Sequence, residues 1–259
     1  MSDLRDAGPT ESGSSQFHLK KKRQSASDAE HGFVGARPPQ QAHIHTVSQV
    51  PLPPYQKLAN PGPLGLLGFA LTTFVLGLHE CDCHTRTLKL RLDQTKPPFG
   101  LAIFMGGGAQ FVAGIFEFRV GNTFGCTVHC SYAAFWLSYA MFLIPSLDIK
   151  GQYNGDERAY SFAIDIYLIV WCFLTVLFLI AALRTNISII LVFFFLVIAF
   201  LLPSVANFIA TEYPEHSVRV NKAGGAFTVI CAFVAFYAGS SGLMVPETIF
   251  VRFPLGEIA

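Results

Sequence analysis

The sequence predicts an all-α polytopic membrane protein with six transmembrane helices. Three observations carry this. From about residue 62 the chain is a series of apolar runs of near-spanning length, and a spanning helix needs roughly 20 mostly apolar residues. The whole-chain averages (52% hydrophobic, 14% charged, mean hydropathy +0.45) understate the apolar part, because residues 1–59 are polar. Strand-type alternation is absent, which argues against a membrane barrel.

The expected spans are 62–79, 99–118, 124–144, 159–183, 187–210 and 223–245. The first is short, so its flanks must snorkel or the bilayer thin. It opens on Asn60-Pro61-Gly62-Pro63-Leu64-Gly65-Leu66. The first four N–H groups of a helix have no intrahelical partner, so proline there breaks nothing. Asn60 reads as the N-cap. With two donors deleted by Pro61 and Pro63, the N–H groups of Gly62 and Leu64 are expected to stay free. A rigid helix start with aimed donors and a positive dipole end suits a small anion.

The second span carries Gly106-Gly107-Gly108-Ala109-Gln110 and then Ala113-Gly114. The sixth carries Cys231, Ala235 and Gly239, with Ala238 and Gly242 in a second row. Small residues at such spacing let helix backbones approach closely, within the bundle or between protomers. Polar residues at membrane depth are costly and face the bundle interior. Gln110, Glu117, His129, Ser131, Tyr132, Asp165 and Thr175 qualify. Glu117 reads as a loop anchor or an interfacial ion pair beside Arg119 and Asn122. Asp165 reads equally as a protonatable pathway group or an interfacial residue. His129 reads as a hydrogen-bonded core histidine.

Residues 1–59 are expected to form a disordered tail, 60–246 the membrane domain and 247–259 a short C-terminal tail. The first of these is rich in Ser, Gly, Pro, Gln and charge and buries too little apolar surface to fold alone. Its run Lys20-Lys21-Lys22-Arg23, followed by Ser25 and Ser27, reads as a solvated cluster or an anionic-lipid contact tuned by phosphorylation. Residues 1–32 hold no apolar core, so the first span is expected to serve as targeting element. Six spans put both termini on one side. The basic run argues for a cytoplasmic N-terminus, whereas the positive charges in the short loops argue the other way. A net charge of +1 says nothing about partners, and no nucleic-acid partner is expected. Cys126, Cys130, Cys172 and Cys231 lie inside spans, and Cys81 and Cys83 are too close for an unstrained bridge, so no disulfide framework is expected. His79-Glu80-Cys81-Asp82-Cys83-His84 is dense in metal-ligand types, but its spacing fits structural zinc poorly. No metal or cofactor is expected.

The residues at 60–66, with the block from Gly107 to Trp136, resemble the acetate uptake transporter family, also called succinate–acetate permeases, in a fungal-type form. The family's Asn-Pro-Ala-Pro-Leu-Gly-Leu motif has Gly62 in place of alanine. The block carries Gly-Asn-Thr-Phe-Gly at 121–125, then Ser131-Tyr132 and Phe135-Trp136. The resemblance spans about residues 58–258. It implies six helices, a homohexamer in the membrane lipid, and a narrow path through each protomer for acetate and related short carboxylates, succinate among them. It implies a hydrophobic constriction at Phe69, Tyr132 and Leu196, and an anion-binding helix start at 60–66. Gln110, Glu117, Asn122, Thr123, Ser131 and Asp165 are then the polar candidates along the path, with proton coupling by Glu117 or Asp165. Departures from the family pattern are the polar segment 80–98, Ala133 where glycine usually stands, and Asp165 where a small neutral residue is expected.

The expectation is therefore a plasma-membrane acetate transporter or channel, not an enzyme, with both termini cytoplasmic. A carboxylic acid with pKa of roughly 4 is almost wholly ionised near neutral pH, and its anion meets a large desolvation cost in lipid. Fixed donors replace the lost water, and the Tyr132 hydroxyl is expected to donate to the passing carboxylate. The alternatives are a carboxylate sensor without net transport and a membrane enzyme built on the His79–His84 cluster.

Overall fold

The computed structural model describes residues 58–81, 96–245, 249–251 and 253–258. The tail with its basic run, and Asp82, Cys83 and His84 of the ligand-rich cluster, lie outside the described residues. The helices are α1 (Gly62–Glu80), α2 (Lys96–Leu101), α3 (Gln110–Arg119), α4 (Thr123–Phe142), α5 (Glu157–Ala182), α6 (Ile187–Phe208) and α7 (Pro214–Ser241). A π-helical stretch, Ala102–Ala109, joins α2 to α3. Five stretches are long and apolar enough to cross a bilayer. A sixth counts when α4 is taken with Pro145–Tyr153, which bends away by 69°.

Local sequence explains the helix starts. Asn122 accepts from Gly125 N (3.0 Å), Asp156 from Ala159 N (2.9 Å) and Asn186 from Ile189 N (2.9 Å). Each is a side-chain N-cap that takes one orphan donor. Two expectations need correction. The last helix begins at Pro214, not at 223. Its first turns carry Glu215, His216, Arg219 and Lys222, so hydropathy misses a helix that extends beyond the apolar layer. Ser217 Oγ donates to Ala206 O (2.8 Å) and ties this extension to α6. The second span is not one continuous α-helix, because its glycine run lies in the π-helical stretch.

Burial is arranged for a hydrocarbon surround. Phe104, Phe173 and Phe233 are at least 60% exposed, whereas Gln110, Thr175 and Asn186 are at most 1% exposed. The small-residue seams pack helices of the same chain. A Cβ on Gly106 would lie 2.6 Å from the Trp136 indole, one on Gly114 2.5 Å from Cys130 Sγ, and one on Gly239 3.0 Å from Leu66. In α7, Gly224 rests on the Pro203 ring of α6 and Gly225 on the backbone at Glu80 and Cys81 of α1.

Three helices run parallel and share one interior. One stripe of α1, Gly62, Leu66, Phe69, Thr73, Leu76 and Glu80, lines it from end to end. The spacing alternates four and three residues, the period of one helix face. Over 19 residues at about 1.5 Å each, that face reaches about 28 Å, close to the thickness of a bilayer core. Tyr132 and Phe135 of α4, and Phe193, Leu196 and Phe200 of α6, continue the lining in the same direction.

Candidate functional site

Among the described residues, two cavities follow one another along this interior. The upper one, of about 70 Å3, lies at the N-terminal ends of α1, α4 and α6. The lower one, of about 40 Å3, lies toward their C-terminal ends. One water needs roughly 10–15 Å3 of such volume, so each holds a few waters or one small solute. Phe69 and Leu196 line both cavities. They are 4% exposed each and lie where the two linings meet. Tyr132 lines only the upper cavity. Its ring meets Phe69 at 5.6 Å and Phe178 at 5.7 Å, so it backs the Phe69 ring.

The Tyr132 hydroxyl corrects one expectation. It lies 3.0 Å from Thr175 Oγ1, which lies 2.7 Å from Trp171 O. Thr175 has one proton and a carbonyl can only accept. Thr175 therefore donates to Trp171 O, and Tyr132 donates to Thr175. The phenolic proton is committed and is not offered to a passing anion.

The helix start also differs from expectation. The N-cap position of α1 is Pro61, and Asn60 Oδ1 accepts from Gly62 N at 3.0 Å as an Asx turn. The Gly62 N–H is thus not free, because the side chain two residues earlier takes it. The Asn60 NH2 group remains as the side-chain donor of this turn. Of the motif, Gly62 and Leu66 line the upper cavity; Asn60, Pro61, Pro63, Leu64 and Gly65 do not. Gly65 has a different task. A Cβ there would lie 2.5–2.7 Å from three atoms of the His129 ring. Only glycine lets that imidazole seat against α1.

Gln110, Glu117 and Asn122 line the upper cavity together. Asn122 Nδ2 donates to Glu117 Oε2 at 2.7 Å while its Oδ1 caps α4. Glu117 is 4% exposed and is held by Asn122, not by Arg119. Thr123, Ser131 and Asp165 line neither cavity. Asp165 accepts from Ser204 Oγ between α5 and α6. It links the two helices.

Two residues were undervalued from sequence. His129 lines the upper cavity, and its Nδ1 has no hydrogen-bond partner among the described residues, so it is not the bonded core histidine expected. Glu80 lines the lower cavity. Four buried side-chain atoms lack a partner among the described residues: Gln110 Oε1, His129 Nδ1, Thr73 Oγ1 and Trp136 Nε1. The first two belong to residues of the upper cavity and the others to residues of the lower one. Buried polar groups are almost always bonded, so this clustering marks the cavities as places where a polar solute is met.

The C-terminal segment completes the upper cavity. Leu255 lines it. Ile187 N donates to Gly256 O (2.8 Å) and Ser188 N to Leu255 O (3.2 Å). Tyr237 and Phe253 stack at 5.3 Å. Residues 253–258 therefore act as a strap that takes the first-turn donors of α6. The backbone donors at the start of α6 are all taken, and what this helix start presents to the upper cavity is the side chain of its cap, Asn186.

Comparison with known proteins agrees with this architecture. The chain is 37% identical over 198 residues to ammonia transport outward protein 2 of Saccharomyces cerevisiae, covering 76% of this chain and 66% of the relative. It is 33% identical over 236 residues to acetate permease A of Emericella nidulans, covering 83% and 76%. It thus spans about two thirds to three quarters of the length of these relatives. The solved structure of the bacterial acetate channel SatP matches with a TM-score of 0.62 at 30% identity, covering 77% of this chain and all of that one. Residues 45–259 match the description of the GPR1/FUN34/yaaH family, and the chain belongs to that family.

Proposed function

We propose that this protein is a multi-pass membrane transporter or channel for acetate and related short carboxylates, and not an enzyme. The observation that carries the reading is the pair of small cavities in series, meeting at Phe69 and Leu196, with every unpartnered buried side-chain polar atom found among the described residues belonging to a residue of their linings. The names of its relatives, an acetate permease and an acetate channel, supply the solute class.

The carboxylate enters beside Asn60 and Gly62 at the start of α1. It occupies the upper cavity between Gln110, His129 and the Glu117–Asn122 pair. It then passes Phe69 and Leu196, with Tyr132 holding the Phe69 ring in place. The aromatic and aliphatic ring of side chains excludes bulkier hydrated ions. The protein works as a homohexamer in the plasma membrane with both termini cytoplasmic. Gly62 and Leu255 lining one cavity supports the placement of both ends on one side, and the family resemblance supports the hexamer.

Uptake of labelled acetate by proteoliposomes tests this. The wild-type chain is expected to give saturable uptake above that of protein-free vesicles, altered by both Asn60→Ala and Phe69→Ala. Wild-type uptake equal to protein-free vesicles, or both variants indistinguishable from wild type, overturns the reading.

A further inference from the structure

We infer that the C-terminal strap, residues 253–258, is the outer gate of the path. Latched to α6, it closes the upper cavity with Leu255. Swung out about its attachment to α7, it opens the cavity beside the start of α1. The inference rests on the transport reading above and assigns the part that moves.

With the strap docked, the polar groups of the cavity are shut away. Gln110, Glu117, His129 and Asn186 line it and are at most 6% exposed. A carboxylate reaches them only where part of the wall moves. Among the described residues, every lining residue except Leu255 belongs to a helix or is the N-cap of one. Those helices are seated on one another by glycines. A Cβ on Gly65 would meet the His129 ring, one on Gly114 would meet Cys130, and one on Gly239 would meet Leu66. Leu255 stands on an irregular segment and is the part of the wall that can leave.

The strap has two edges, fastened differently. On the α7 edge the Tyr237 hydroxyl donates to Pro254 O (2.6 Å), Ser241 Oγ donates to Phe253 O (2.9 Å), and the Tyr237 and Phe253 rings stack. On the α6 edge Ile187 N donates to Gly256 O, Ser188 N and Oγ both donate to Leu255 O, and Ile258 N donates to Thr185 O. The α6 edge is the latch. Its Ile187 and Ser188 N–H groups belong to a first helical turn, which has no intrahelical acceptor, so releasing them breaks no helix. Ile187 is 52% exposed, so water takes the freed donors over. Gly256 has a φ of +72°, and a Cβ there would lie 3.0 Å from Ile187 Cδ1. Only glycine turns the strap this way and lets it lie so close to α6.

The α7 edge is the hinge, and it places the gate at the entry. Ser241 is followed by Gly242, where a Cβ would lie 2.7 Å from Pro63 Cγ and 3.6 Å from Asn60 Nδ2. A swing about this edge opens the wall that Leu255 shares with Gly62 and Asn186.

Two measurements test the gate, both in a chain freed of its native cysteines. In the first, Leu66→Cys is modified by a charged thiol reagent in sealed proteoliposomes, with and without Ser188→Ala and Gly256→Ala. That pair deletes one latch bond and forces the strap off Ile187, and neither residue lines the cavity. Modification is expected to be several-fold faster with the pair. In the second, Ile187→Cys and Glu257→Cys are joined by a short bis-methanethiosulfonate reagent. Glu257 pairs with Asn186 as an antiparallel bridge, so the link ties the latch, and neither position lines the cavity. Uptake of labelled acetate is expected to fall to near that of protein-free vesicles on crosslinking and to return on reduction. Each single-cysteine chain given the same reagent should keep its uptake. Unchanged modification of Leu66→Cys in the loosened chain, or undiminished uptake in the crosslinked one, overturns the gate alone. Wild-type vesicles without acetate uptake overturn the transport reading, and the gate with it.

Discussion

The two halves of the path share α1, α4 and α6 and meet solute differently. Both walls are largely apolar, and they differ in the polar groups set into them. The upper wall carries Gln110, Glu117, Asn122 and His129, and a cap, a π-helical stretch and a glycine each place one of them. The lower wall carries the Trp136 indole, the hydroxyls of Thr73, Tyr139 and Thr228, and one carboxyl, Glu80. On the proposed function the upper half selects the solute and the lower half passes it on.

Substitutions at four positions sharpen or break this contrast. The largest effect is expected from Gly225→Ala. Its added methyl would meet backbone and Cβ atoms at Glu80 and Cys81, which cannot swing aside. Overpacking of this kind costs about 3 kcal/mol, read as a lowered thermal midpoint of the purified protein with loss of uptake. The matching change in the upper half, Gly65→Ala, meets a side-chain ring that has a cavity to turn into. It should cost about 1–2 kcal/mol and reduce uptake, and adding His129→Ala should restore stability. Equal costs at the two glycines would break the contrast, as would a double variant no better than Gly65→Ala alone.

Smaller effects should separate binding from passage. His129→Phe keeps the ring and deletes its polar atoms, so the KM for acetate should rise about five- to tenfold with turnover little changed, the size of one lost hydrogen bond. His129→Asn, which keeps a polar group near the Nδ1 position, should lie close to wild type. Trp136→Phe removes the lower-cavity N–H and should reduce turnover about two- to threefold with KM unchanged. A rise in KM from Trp136→Phe, or none from His129→Phe, would assign selection to the wrong half.

Much of this was legible in sequence. The apolar runs located the spans, and the motif at 60–66 with the block at 107–136 supplies lining residues of both cavities, Gly62, Leu66 and Gln110 above and Phe135 and Trp136 below. The roles inside the motif were not legible. Counting backbone donors left Gly62 N–H free, but the Asn60 side chain competes for it at 3.0 Å. Gly65 looked like part of an anion site, and its reason is a ring 64 positions away on another helix. Glu80 was read with the ligand-rich cluster that follows it, although the helical period of α1 assigns it to the stripe of Phe69 and Leu76. Thr175 withdrew the Tyr132 proton through a contact between two spans that no local pattern reveals. The strap at 253–258 is short and irregular, so it read as a tail until its carbonyls met the first turn of α6.

The central claim is that Phe69 and Leu196 divide one path into two chambers open to opposite faces. Single cysteines at positions 66 and 76, in a chain freed of its native cysteines, test it most directly with a charged, membrane-impermeant thiol reagent and sealed vesicles of one orientation. Leu66→Cys is expected to react from one side only and Leu76→Cys from the other side only, with acetate slowing Leu66→Cys. Reaction of both from the same side, or of each from both sides at equal rates, would contradict the account.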